Sequence, residues 1–307
     1  MSRLTLFHVG FLFLILFFTT TAKAQKEAET FNVDSTLYEY YQRCQEYLLE
    51  PVVLSMSDTL FRMAGERHDE RMQAVAIATR LDYYYFQGTN EDSVIHYTNK
   101  VKEFAKATHQ PKYYYFAWAN RLITYYLKTS RTNIALYEVQ NMLKEAQKED
   151  DKTGLSRCYN IMSQIYTIKR FDSMAFEWRL KEIELTEKYK LENYNISQTY
   201  AQIANYYINQ KKQKEALAAV EKAIATANSS TQQISAKLEF VNYYSKFGDF
   251  QAAEKLLKEC QAAFEQDKRL ESIKKRLYNI ECLYYQQTKQ YPKALEAAKM
   301  QEKEERR

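Results

Sequence analysis

The residues that could do chemistry are scattered here in a way that argues against a catalytic centre. The chain has 307 residues with four histidines and four cysteines. His8, His68, His96 and His109 fall in different segments, without the short spacing that brings two imidazoles to one metal ion. Glu66-Arg67-His68-Asp69-Glu70 is dense in titratable groups, but it follows Gly65 at a break and reads as a solvated turn. No Gly-rich phosphate loop, serine nucleophile elbow or Cys–His pairing is present. Among 39 carboxylates, acidic neighbours arise by chance and no pair stands out. The expectation is a non-enzymatic protein with no metal and no cofactor.

The cysteines leave one question open. Cys44 and Cys158 lie far apart and read as small buried apolar residues. Cys260 and Cys282 fall on the second helix of one unit and the first helix of the next. They are either a bridge or two packed thiols, since a bridge between helices demands a narrow Cα separation.

Behind these residues stands a regular helical pattern. A tyrosine is followed nine residues later by a small residue at Tyr126/Ala135, Tyr166/Ala175, Tyr207/Ala216, Tyr244/Ala253 and Tyr285/Ala294, with Tyr85/Val94 as a looser first member. Successive tyrosines are 37 to 41 residues apart. A fixed period of that size marks a repeat array, in which each unit buries its apolar face against its neighbours. Between Gln198 and Asn228, Tyr200, Ile203, Ala204 and Tyr207 form one helical stripe. A break over Asn209–Lys214 follows, and Ala216, Leu217, Val220, Ala223 and Ile224 form a second stripe. Gly248 suits a left-handed residue closing a first helix. Ala216, Ala253 and Ala294 fall where paired helices cross, a place with no room for a large side chain. With 5 Gly and 3 Pro, little else is available for strands or long loops.

The stretch Tyr243-Tyr244-Ser245-Lys246-Phe247-Gly248-Asp249-Phe250-Gln251-Ala252-Ala253 resembles the tetratricopeptide repeat family, in its turn pattern of Tyr, Gly, Asp, aromatic and Ala. Tyr285 to Ala294 keeps the spacing, with Lys289 in place of the turn glycine and Pro292 opening the second helix. The resemblance covers roughly Arg71 to Arg307. The pitch is longer than the family's ~34 residues, which implies longer helices. The fold it implies is an all-α, right-handed solenoid of stacked antiparallel helix pairs. Residues 71–307 would make about six repeats, and 25–70, broken at Pro51, a degenerate first repeat or N-terminal cap. The long repeats are also similar to the exported sensory region of bacterial envelope regulators.

In that family the first helices line a concave groove. Polar residues before each repeat tyrosine would face it: Asn120 and Thr124, Asn160 and Gln164, Asn205, Asn242 and Asn279, with Arg157 and Arg276 three residues before an asparagine. Asparagine offers both a donor and an acceptor, so a ladder of amides can pair with the main chain of an extended peptide; it can equally serve solubility. Basic residues look sparse in this groove, which disfavours a clamp for a terminal carboxylate. Lys222 falls on the opposite, convex face. The 27 Tyr and 16 Phe are mostly core. In Tyr83-Tyr84-Tyr85-Phe86 and Tyr113-Tyr114-Tyr115-Phe116 four helical positions sweep about 300°, so one or two must face solvent or the groove.

Residues 1–24 read as a secretory signal: Arg3, an apolar run from Leu4 to Phe18, and Ala22-Lys23-Ala24 before Gln25. The run would be roughly 22 Å as a helix, short of the ~30 Å bilayer core, so cleavage is expected rather than anchoring. Without the leader's two cations the formal charge of +5 falls further, and the remaining charges interleave along helix faces. Export and near-balanced charge together argue against nucleic acid. The sequence therefore points to an exported, periplasmic module that binds a protein or peptide as a scaffold or sensor. Two alternatives are the sensor half of a signal-transduction regulator, and a small-molecule or glycan site in a Tyr-rich groove.

Overall fold

The computed structural model describes residues 33–305 apart from positions 89, 192 and 194. The expected 1–24 leader lies outside the described residues, as does the start of the 25–70 segment. Among the described residues the chain is helical and contains no strand. Helices α1 (Ser35–Glu46) and α2 (Val52–Glu66) flank Pro51. They are followed by α3 (Glu70–Gln87) and α4 (Glu91–Ala107). Next, α5 (Pro111–Ala117) runs through a π-helical stretch, Trp118–Ile123, into α6 (Thr124–Lys128). Then come α7 (Thr132–Lys148), α8 (Lys152–Ile168) and α9 (Asp172–Tyr189). The chain continues with α10 (Ile196–Asn209), α11 (Gln213–Ala225), α12 (Ser230–Phe247) and α13 (Phe250–Gln266). A 3-10 segment, Lys268–Ile273, leads to α14 (Lys274–Gln287) and α15 (Tyr291–Glu305).

Contacts divide the chain into two compact units, the first ending at Ile161 and the second beginning at Met162. In the first, α2 packs on α3, α3 on α4 and α4 on α5. In the second, α10 pairs with α11, α12 with α13 and α14 with α15, while α10, α12 and α14 lie side by side. Short turns reverse the chain between partners, so the fold is a solenoid of antiparallel helix pairs.

The nine-residue interval has a backbone cause. The carbonyls of Tyr126, Tyr166, Tyr207, Tyr244 and Tyr285 accept from the N–H five residues on, at Arg131, Phe171, Lys212, Asp249 and Gln290, over 2.8–2.9 Å. The residue just before each donor is left-handed: Ser130 (φ 59°), Arg170 (63°), Lys211 (58°), Gly248 (89°) and Lys289 (59°). These are the two marks of a Schellman helix end, which satisfies carbonyls that the last turn would leave unpaired. The donor then caps the next helix, as Arg131, Phe171, Lys212 and Asp249 do. Asp249 also accepts the N–H of Ala252 at 3.0 Å. One helical turn later comes the small residue. Ala135, Ala175, Ala216 and Ala253 are fully buried, and Ala294 nearly so. Turn and crossing share the same nine residues, which leaves no slack between them. The one short step, Tyr207 to Tyr244, matches an α11 of 13 residues against 17 in α13, about one helical turn fewer.

The cores follow the same pairs. Ala216, Ala219, Val220 and Ala223 of α11 pack with Tyr200, Ile203 and Ala204 of α10 and with Ala236 and Tyr243 of α12. Leu257 and Cys260 of α13 meet Leu277, Ile280 and Tyr284 of α14. Cys260 is fully buried, Cys282 is half-buried and accepts a hydrogen bond from Gln286, and all four cysteines are free thiols. Of the run 83–86, Tyr85 is buried and Phe86 turns to solvent. The run 113–116 differs from expectation: Tyr114 and Tyr115 are fully buried and Tyr113 and Phe116 half-buried. Its helix touches α3 as well as α4, so little of its circumference is left for water.

Candidate functional site

On α10, α12 and α14 the positions two, five or six, and nine before the repeat tyrosine share one face, because steps of three and four bring helical residues into line. That face carries Gln202 and Asn205 on α10, Glu239 and Asn242 on α12, and Arg276 and Asn279 on α14. With the three helices side by side, all of these but Asn242 wall a cavity of about 680 Å³ that also takes in Arg179 of α9, Thr167, Tyr206, Asn209 and Lys275. A second cavity of about 220 Å³ shares Asn205, Asn209 and Asn279 with it and adds Asn242. Four of the expected groove residues, Asn205, Asn242, Arg276 and Asn279, are therefore brought together. Gln164 is exposed on α8, away from the lining of either cavity. Asn120, Arg157 and Asn160 belong to the first unit, where the Arg157 guanidinium sits 5.7 Å from the Phe116 ring and its buried Nε has no partner.

A buried carboxylate organises this wall. Glu239, 3% exposed, accepts from Arg276 Nη2 at 2.5 Å through Oε1. Its Oε2 takes long bonds from Asn205 Nδ2 and Asn242 Nδ2, each 3.4 Å. Asn209 donates in turn to Asn205 Oδ1 at 3.0 Å. Asn205 and Asn242 thus spend their amides on the protein itself, and Asn242 is buried. Asn279, exposed on the wall, makes none of these bonds. A carboxylate at this depth needs its donors, because an ion taken from water is stable only when paired and hydrogen-bonded. The asparagine at position 242 is therefore structural as well as groove-facing, which the sequence reading of the ladder did not include.

Across the cavity, Arg179 is 8% exposed. Its Nε donates to Gln202 Oε1 at 2.8 Å and its Nη2 to Thr167 Oγ1 at 2.7 Å. Thr167 passes its own proton to the Ser163 carbonyl at 2.8 Å, leaving its oxygen free to accept. Burial pulls the Arg179 guanidinium below its ordinary pKa, against weaker pulls from Glu182 and Asp172. With Lys275 and Arg276 also on the wall, basic residues are denser here than the sequence suggests. Arg179 escaped the reading because it comes from a second helix and reaches the groove between first helices. Gln202 and Glu239 lie on the same face, each five residues before its repeat tyrosine, a position the sequence reading did not select.

Tyr206 is the aromatic residue on the larger cavity's wall, stacked on Phe176 with ring centroids 4.0 Å apart. The remaining wall is amide, hydroxyl and charge. Such a surface positions and holds a polar ligand. Among the described residues no group of three His, Cys, Asp or Glu is placed to hold a metal ion, and His68, His96 and His109 are exposed. Lys222 is tied in rather than free: it donates to Glu187 at 2.7 Å and to the Tyr200 hydroxyl at 3.1 Å. No described helix is long and apolar enough to cross a membrane.

No protein-family model and no curated protein sequence matches this chain. Among solved structures, the apo form of RapI is similar, with a TM-score of 0.58 over 88% of this chain and 98% of that one. Identity is 13%, so the likeness is one of fold.

Proposed function

We propose that this chain is a non-enzymatic binding module, exported after loss of residues 1–24, that holds a protein or peptide on the first-helix face of its second unit. The observation that carries this reading is the polar cavity along α10, α12 and α14, with exposed amides at Asn209 and Asn279 at its edge. Its size falls in the range used for ligand recognition, roughly 300–1,000 Å³. An extended main chain presents alternating donors and acceptors, and an amide answers both. A glycan or flat aromatic ligand would be better served by several exposed rings, where this wall has Tyr206. As a scaffold or sensor, the module would pass partner binding to an envelope assembly or to a signalling output.

The test is capture from envelope extracts by the native chain, followed by affinity measurement on the purified partner. Asn279→Ala is expected to keep the fold and weaken binding by roughly 1–3 kcal/mol, by leaving a ligand backbone group unpaired. Exposed Lys214 serves as the control position, since Lys222 is engaged. Equal affinity for Asn279→Ala, Lys214→Ala and the native chain would place the partner elsewhere.

A further inference from the structure

We infer that the Arg179 corner of the cavity is an anion subsite, built to take a carboxylate or phosphoryl group of the ligand. Arg179 is nine-tenths buried, yet its hydrogen-bond partners are the neutral oxygens of Gln202 and Thr167. Among the described residues no carboxylate makes an ion pair or hydrogen bond with it, and Glu182 and Asp172 offset its burial only in part, in contrast to Arg276, whose charge is met by Glu239. A guanidinium carries five N–H donors in a planar fork, and two are used here. Taking a cation out of water without a counter-charge is unfavourable, and the usual remedy is a partner of opposite sign. The cavity is where that partner would sit.

The neighbours are arranged to the same end. The Gln202 oxygen is held by Arg179, which leaves its amide N–H2 for a ligand on the same wall. The Thr167 proton is committed to the Ser163 carbonyl, so that hydroxyl cannot turn to serve Arg179 differently. Lys275 adds a second, exposed cation to the lining. Planar bidentate pairing with an oxyanion is what a guanidinium does best, and both carboxylates and phosphoryl groups offer it. Asp172, exposed at the rim, would select against a ligand with a second anion placed on that side. This reading rests on the groove as a binding site only for where the anion comes from; free anions test the corner by itself.

The experiment follows the Arg179 Nε–H resonance of the full chain by NMR at low salt, titrating glutarate, inorganic phosphate and, as a neutral match, glutaramide. A saturable shift with glutarate assigns a carboxylate ligand, and one with phosphate alone a phosphoryl ligand; either supports the subsite when glutaramide gives none. Calorimetry should show about tenfold weaker anion binding for Arg179→Gln, with helix content unchanged. If that variant fails to fold, exposed Lys275→Gln substitutes for it, with a loss of about threefold expected. No saturable shift with either anion, or the same shift with glutaramide, overturns the inference. So does unaltered affinity in the variants. A peptide partner that fails to appear while glutarate binds would overturn the peptide reading alone.

Discussion

Two residues test the packing directly, because in each a single atom decides the sign. A Cβ on Gly154 would stand 2.8–2.9 Å from the ring of Tyr115, which is fully buried and donates its hydroxyl to Glu149 at 2.9 Å. Helix propensity alone would favour alanine there by about 1 kcal/mol. The ring cannot yield without breaking its hydrogen bond, and overpacking costs about 1–3 kcal/mol, so Gly154→Ala should lower the melting temperature. At Gly65 a Cβ would meet the end of the Gln73 side chain, which can move aside. Gly65→Ala should therefore be neutral or slightly stabilising, and a loss there equal to that at Gly154 would refute the contrast. Glu239 tests a charge pair instead. Glu239→Gln removes the counter-charge of Arg276, whose buried Nε already lacks a partner, and should cost about 1–3 kcal/mol. A double-mutant cycle with Arg276→Gln should recover part of that loss; strict additivity would mean the two are not coupled.

At the scale of the element, the turn after each repeat tyrosine is where sequence and backbone speak most plainly. Gly248 has φ 89°, a region that opposes L side chains by about 1–2 kcal/mol, so Gly248→Ala should destabilise by about that much. Lys289 holds the same place at φ 59°, and Lys289→Gly should gain up to about 1 kcal/mol, reduced by the greater freedom of glycine in the unfolded chain. Chemical denaturation of the pair would measure both, and a loss for Lys289→Gly would sink the argument. Ala253→Leu should overpack its fully buried site and cost about 1–3 kcal/mol. The Tyr-to-small spacing was readable because the turn and the helix crossing fix it together, whatever residues lie between. The ladder was only half readable. Taking polar residues two and six before each tyrosine found Asn205, Asn242 and Asn279 but passed over Glu239, the carboxylate that orients two of them, which stands five residues before Tyr244 on the same face. Arg179 and the π-helical stretch Trp118–Ile123 depend on neighbours that local periodicity does not encode.

Across the whole molecule the unusual quantity is tyrosine, and it sets the alkaline limit of stability. Burial is the leading cause of a raised pKa at Tyr41, Tyr113, Tyr114, Tyr115, Tyr126, Tyr200, Tyr278, Tyr284 and Tyr285. Tyr114 is the extreme: its ring is 1% exposed, and after burial the neighbouring Glu145 carboxylate raises it further. In the unfolded chain these phenols ionise near pH 10. A group whose folded pKa lies above its unfolded value binds its proton more tightly when folded. Its contribution is complete below the unfolded pKa and is lost as pH rises toward the folded one. The sign is therefore the same at all nine positions and in both units. The expected outcome is a chain whose denaturant midpoint is insensitive to these groups up to about pH 9 and falls steeply above about pH 10. Because buried rings cannot ionise in place, their share of the tyrosinate absorbance should rise together with the loss of helical circular dichroism. A tyrosinate titration completed while the helix signal stays intact would show that the rings are open to solvent and that they do not pack the repeats.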